Sequence, residues 1–243
     1  MGFGLSQGDA AETNVVSPLL LCRSILPFYS YFLPIDSDCG AIYFLPIIVF
    51  LNCRTFEVFD PGLLGLEGHM EIKGKRVVLL VEDRYQVLEL WYPLIRLREA
   101  GAEVTVVGPE EGRVYKSGNG YEITADASVA DIRIQEYDGI VVPGGYAPDL
   151  MRRNPAMIAI VRDAYNQGKV VAAICHAGWM LASAGIIRGR KVTSFYSMKD
   201  DMVNAGAIWL DEPVVRDGRI ITSRKPEDLP FFCVEIIAAL SGK

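Results

Sequence analysis

Residues 170–174 read Val-Val-Ala-Ala-Ile and pass into Cys-His-Ala-Gly-Trp-Met-Leu with no turn residue between them. A run of consecutive apolar residues without alternation has no side to offer water. Such a strand belongs inside a parallel sheet that helices cover on both faces. The residues beyond it carry helical periodicity until Gly185, so the strand hands directly to a helix. That junction constrains the fold more than any other feature of the chain.

The flanking sequence repeats the alternation. Strands are predicted over 76–81, 103–107, 139–142, 169–174 and 191–195, with helices over 87–100, 154–167, 176–184, 200–205 and 226–240. Asn154 is placed as an N-cap with Pro155 at the first helical position. Asn119-Gly120 and Asp217-Gly218 mark hairpin turns. Pro93 costs about 3 kcal/mol in a helix interior, so the regular helix there is expected to begin close before it. The β-α-β order argues an α/β fold, a doubly wound and mostly parallel sheet whose ligands bind at the carboxyl ends of the strands.

Composition divides the chain. Residues 1–69 hold seven of the ten Phe, three of the five Cys and no Lys, and they carry two Arg against seven acids. Residues 70–243 carry 22 basic and 23 acidic residues. The apolar runs at 24–35 and 40–53 are shorter than the roughly 18–20 residues of a spanning helix. Pro27, Pro34 and Pro46 break them. The segment lacks the basic start of a secretory signal and the Arg-rich character of a transit peptide. We expect 1–69 to be a disordered or mis-assigned extension and Met70 to open the working domain, 70–243. A near-neutral domain without a basic cluster gives nucleic acid no stripe to bind and gives no reason for membrane association. Its two Cys speak for a reducing, cytoplasmic setting.

The chemistry centres on Cys175. A residue held at a strand-to-helix turn has its side chain thrust out of the sheet, the geometry of a nucleophile elbow. Ala172, Ala173, Ala177 and Gly178 let strand and helix approach closely. The helix start aims free N–H groups at the sulfur, which is expected to favour the thiolate and to stabilise an oxyanion. Cys233, in an apolar helix, reads as core. The domain has one His, His176, so a Cys-His pair there must use it; whether its ring acts as base or its backbone alone contributes stays open. A lone His and two separated Cys offer no metal spacing. No dinucleotide or P-loop motif appears, and no cofactor is implied.

These residues resemble a family. Ala-Ile-Cys-His after a strand, Pro-Gly-Gly-Tyr-Ala-Pro-Asp upstream, Glu-Leu-Trp-Tyr-Pro in the first helix and Lys-Asp-Asp-Met-Val-Asn-Ala-Gly-Ala downstream are similar to the PfpI/ThiJ superfamily over about residues 74–241. The resemblance implies a flavodoxin-like three-layer sandwich with Cys175 at the elbow. It implies a carboxyl group on the first helix hydrogen-bonded to the Cys, here Glu89, with Glu82 as fallback. Gly145 matches the backbone donor of the oxyanion hole. Asp149 matches an acid that orients the His across a subunit interface, one methylene shorter than the usual Glu. Tyr146 stands where the family has Arg, Ala177 replaces the Gly after Cys-His, and a Tyr is displaced, with Phe195 preceding Tyr196.

The resemblance implies a homo-oligomer, a dimer or a hexamer. It also implies a cysteine-dependent hydrolase acting on reactive carbonyls or on peptides. An elbow at the end of a sheet makes a small pocket, which favours the carbonyl substrate. The alternative is a non-catalytic stress-response or chaperone-like protein that senses oxidants through the same Cys.

Overall fold

The computed structural model describes Met1, residues 41–44, 47–52 and 55–58, and residues 71–243. The chain divides into two units, Met1–Gly65 and Leu66–Lys243. In the first, β1 (Ala41–Phe44), β2 (Ile47–Asn52) and β3 (Thr55–Val58) pair antiparallel in sequence order. The expected extension over 1–69 otherwise lies largely outside the described residues.

The second unit is an α/β sandwich. Its seven-stranded sheet contains β4 (Arg76–Leu80), β5 (Glu103–Gly108), β8 (Ala127–Ser128), β9 (Gly139–Val142), β10 (Val170–Ile174), β13 (Val214–Asp217) and β14 (Ile220–Ser223), in the order β13-β14-β10-β9-β4-β5-β8. Every neighbour is parallel except the β13/β14 hairpin. Between β5 and β8 a smaller hairpin, β6 (Val114–Lys116) with β7 (Glu122–Thr124), turns at Asn119-Gly120. All residues of β9 and β10 are buried, as strands covered on both faces must be.

Two crossovers leave the sheet centre in opposite directions. From β4 the chain passes through α1 (Val87–Glu99) to β5; from β9 it passes through α2 (Ala147–Met151) and α3 (Pro155–Asn166) to β10. Right-handed crossovers running opposite ways put their helices on opposite faces. Accordingly α1 packs with α6 (Leu229–Ser241), and α3 packs with α4 (Gly178–Ala184). The strand order reverses between β4 and β9, so the crevice beyond their carboxyl ends is the switch point where ligands bind in such sheets.

Three expectations need correction. Pro93 lies well inside α1, which begins at Val87. The first turns hold without its N–H because Gln86 caps Glu89 N at 2.8 Å and Leu90, Pro93 and Leu94 are buried. The helix predicted from 176 opens with a 3₁₀ turn over Cys175–Ala177 and becomes α-helical at Gly178. Of the strand predicted over 191–195, only β11 (Lys191–Val192) pairs, and its partner is β12 (Ile208–Trp209), outside the main sheet. Thr193 N turns instead to Thr222 Oγ1 at 2.9 Å, and Phe195 N reaches Cys175 O at 3.4 Å. The segment thereby crosses the elbow.

Candidate active site

Three loops converge at the switch point. β4 feeds the segment before α1, β9 ends at Gly144-Gly145, and β10 ends at Cys175. Cys175 has φ 60° and is 7% exposed. The left-handed region crowds any Cβ, so a non-glycine residue there is costly and must be held by its surroundings. Among the described residues only Arg84 and Cys175 are non-glycine with positive φ. This turn also brings adjacent side chains together: Cys175 Sγ lies 3.1 Å from His176 Nδ1.

Gly144 and Gly145 make the close approach possible. Gly144 N donates to Glu89 Oε2 at 3.0 Å. A Cβ on Gly144 would meet Glu89 Oε2, would lie 2.6 Å from Cys175 Cβ and 2.9 Å from Ile174 O. Gly145, at φ 79°, pairs with Tyr85 in an isolated antiparallel bridge, and a Cβ there would strike Gln86 N at 2.5 Å. Gln86 N donates to Gly144 O at 3.1 Å and Tyr146 N to Arg84 O at 3.0 Å. The oxyanion-hole candidate is thus clamped from both sides.

Glu89 is fully buried, and its Oε1 has no hydrogen-bond partner. Burial raises its pKa from 4.5 to about 8, although hydrogen bonds from Cys175 and Gly144 pull the other way. Cys175 does not follow the expectation of a lowered pKa. Burial and the negative charge of Glu89 push the thiol up to about 12, against the backbone N–H groups of Gly145 and His176, which favour the thiolate. Glu89 and Cys175 therefore titrate as a pair, and the thiolate is favoured when Glu89 keeps the proton. His176 is half-buried, stacked on Phe195 at 5.1 Å and edge-on to Trp179 at 5.2 Å. Burial lowers its pKa, opposed by the charge of Asp201. Trp179 Nε1 donates to Asp201 at 2.9 Å, which fixes the indole that flanks the imidazole.

The structure thus brings Cys175, His176, Glu89 and Gly145 together. Asp149 is elsewhere occupied: it pairs with Arg153, and that bond and one from Tyr146 hold its carboxyl below the usual range. Within the chain it makes no hydrogen bond to His176. Glu82 is half-buried, its Oε1 accepting from Asp83 N at 2.9 Å. The sequence reading missed the aromatic setting of His176 and a cavity of about 280 Å³ beside Gly145, lined by Arg84, Ser117, Asn119 and Tyr146 among others. The Asn119-Gly120 turn signal predicted the hairpin but not that its tip would reach the loop before α1. Among the described residues no group of three or more His, Cys, Asp or Glu side chains could hold a metal ion. No helix among them is long and apolar enough to cross a membrane.

The model of the DJ-1/PfpI family matches residues 75–239. The chain belongs to the DJ-1/PfpI family. A deglycase of Pyrococcus abyssi is 41% identical over 165 residues, covering 68% of this chain and 99% of that protein. The protein/nucleic acid deglycase 2 of Escherichia coli is 37% identical over 171 residues, covering 70% and 99%. The crystal structure of Drosophila melanogaster DJ-1beta superposes with a TM-score of 0.66 at 32% identity, covering 70% of this chain and 91% of that one. The Drosophila structure shares the fold of the second unit, and the deglycase names support an enzyme of the DJ-1/PfpI family.

Proposed function

We propose that the chain is a cysteine-dependent hydrolase of small reactive carbonyl compounds and of their adducts on amines, with Cys175 as nucleophile. The observation that carries the reading is Cys175 held at φ 60° between a buried carboxyl group and two backbone N–H groups. With a dicarbonyl, the thiolate adds to the aldehyde carbon and forms an S–C bond. The carbonyl oxygen takes the electron pair and is stabilised by the Gly145 N–H. The alkoxide takes the proton that Glu89 holds, and the Glu89 carboxylate so formed, or His176, then removes the proton from that carbon and returns it to the neighbouring one. This internal redox step yields a thioester of a 2-hydroxy acid, which water hydrolyses to release the acid and the thiol. With an amine adduct the amine leaves, carrying the proton that Glu89 holds.

The cavity beside Gly145, about 280 Å³ and just under the usual ligand-sized range, adjoins the oxyanion donor without being lined by Cys175 and is compatible with a small substrate. Within its own chain Asp149 makes no hydrogen bond to His176, so it can join the site only from a neighbouring copy, where it would have to leave Arg153 for the ring. The test assays the full chain on methylglyoxal, on methylglyoxal-treated amines and on a fluorogenic peptide, beside Cys175→Ala. Turnover of the first two that the variant lacks supports the reading. Turnover of the peptide alone makes it a peptidase. No turnover, with selective peroxide oxidation of Cys175, replaces it with the redox-sensor reading.

A further inference from the structure

The cavity and the nucleophile share a residue. Gly145 directs its N–H to Cys175 and also walls the cavity. Facing it is Arg84, on the segment that the Tyr85–Gly145 bridge and the Tyr146 N to Arg84 O bond lock alongside. Arg84 is exposed and its guanidinium lies 4.6 Å from the centroid of the Tyr146 ring. Among the described residues no carboxylate pairs with it. The nearby acid that could do so, Asp83, is committed to Arg113 at 2.9 Å and to Lys116 N at 2.9 Å.

The backbone of Arg84 is also unusual. It sits at φ 65°, sharing the left-handed region with Cys175, and is pinned there by its N–H to Lys116 O at 2.6 Å. A strained position that persists is one its surroundings over-determine. Here the effect is to fix the backbone from which an uncompensated cation reaches a cavity that opens beside the oxyanion donor. Asn119, on the hairpin tip, adds an amide to the same wall. A guanidinium stacked on an aromatic ring is pre-organised for a planar carboxylate.

We propose that this cavity is the subsite for a carboxylate carried by the substrate, and that Arg84 is the residue that selects it. The preferred substrates are then small acidic carbonyl compounds, or adducts on amines that carry a nearby carboxylate, over neutral ones of the same size. This rests on Cys175 as nucleophile, but not on turnover.

The test uses two alkylating reagents that differ in charge alone. Iodoacetate and iodoacetamide each form an S–C bond to the Cys175 thiolate as iodide leaves. Rates are measured on the full chain, with the label located by peptide mapping. The ratio of the iodoacetate to the iodoacetamide rate at Cys175 is compared with the same ratio in the urea-unfolded chain. A charge-assisted contact predicts a native ratio at least about tenfold higher. Arg84→Met returns the ratio to that of the unfolded chain, and Arg84→Lys keeps part of it. A native ratio no higher than the unfolded one, or one that Arg84→Met leaves unchanged, overturns the subsite while the nucleophile stands. A folded chain whose Cys175 neither reagent modifies overturns both.

Discussion

Replacing Glu89 by Gln tests the burial of that carboxyl group through stability alone. In the unfolded chain the group loses its proton near 4.5; in the folded chain it holds it to about 8. Between those values the native state binds the extra proton, so the contribution is most favourable below the unfolded pKa and is lost as pH rises through the folded one. The full difference corresponds to about 5 kcal/mol, a large share of the roughly 5–15 kcal/mol that holds a domain together. Gln is isosteric, still accepts from Gly144 N, and does not titrate. Urea unfolding of both proteins from about pH 5 to about pH 8.5 then isolates the group, since other titrations, His176 included, are common to both. Both proteins carry Cys175→Ala, because the thiol is pushed up to about 12 partly by Glu89 itself and would titrate differently in the two. The protein that keeps Glu89 is expected to lose roughly 3–5 kcal/mol more than Glu89→Gln across that window. A difference between the two proteins that is constant with pH, or that moves the other way, refutes the account of a desolvated acid.

Gly144→Ala sets a methyl group against Cys175 Cβ and Ile174 O, neither of which can yield without moving β10. Overpacking of this kind costs about 1–3 kcal/mol, and a lowered Tm should come with altered Cys175 alkylation. Arg224→Met strands Asp228, which is nearly buried and takes two hydrogen bonds from that guanidinium. A loss of about 3–5 kcal/mol, read as a Tm lower by roughly 10 °C, is expected. Above about pH 9, where wild-type Glu89 is ionised, iodoacetamide should modify Cys175 faster in Glu89→Gln than in wild type, because the opposing charge is gone. Equal rates would show that the carboxylate does not act on the thiol.

The parts legible from sequence were those fixed by short-range physics. The Val-Val-Ala-Ala-Ile run fixed a buried parallel strand, Asn154-Pro155 a helix start, and Asn119-Gly120 a hairpin. Asn154 does cap Ala156 N, at 3.0 Å. The elbow was legible because nothing separates strand from helix. What escaped depends on long-range contact. Pro93 was read as a boundary because its local cost is real, yet tertiary packing of α1 outweighs it. Residues 193–195 looked like strand because Thr193 is β-branched and Phe195 aromatic, but the partners of their N–H groups are Thr222 and the Cys175 carbonyl rather than a sheet neighbour. The thiol was expected to be acidic from its place before a helix; the burial and the buried acid that reverse this come from two other loops. Arg84 carried no periodic or spacing signal, since its importance lies in what the hairpin tip and Gly145 place around it.

The backbone at Cys175 has a consequence for how such a chain ages under mutation. At φ 60° the residue that the main chain prefers is glycine, and a side chain there forgoes about 1 kcal/mol or more of stability. The sulfur therefore stands where the main chain alone would favour glycine. A copy released from selection can gain stability by discarding it, and Cys175→Gly is the substitution that relieves the turn while erasing the chemistry. Among descendants of this architecture, the inert ones at this position need not be the fragile ones.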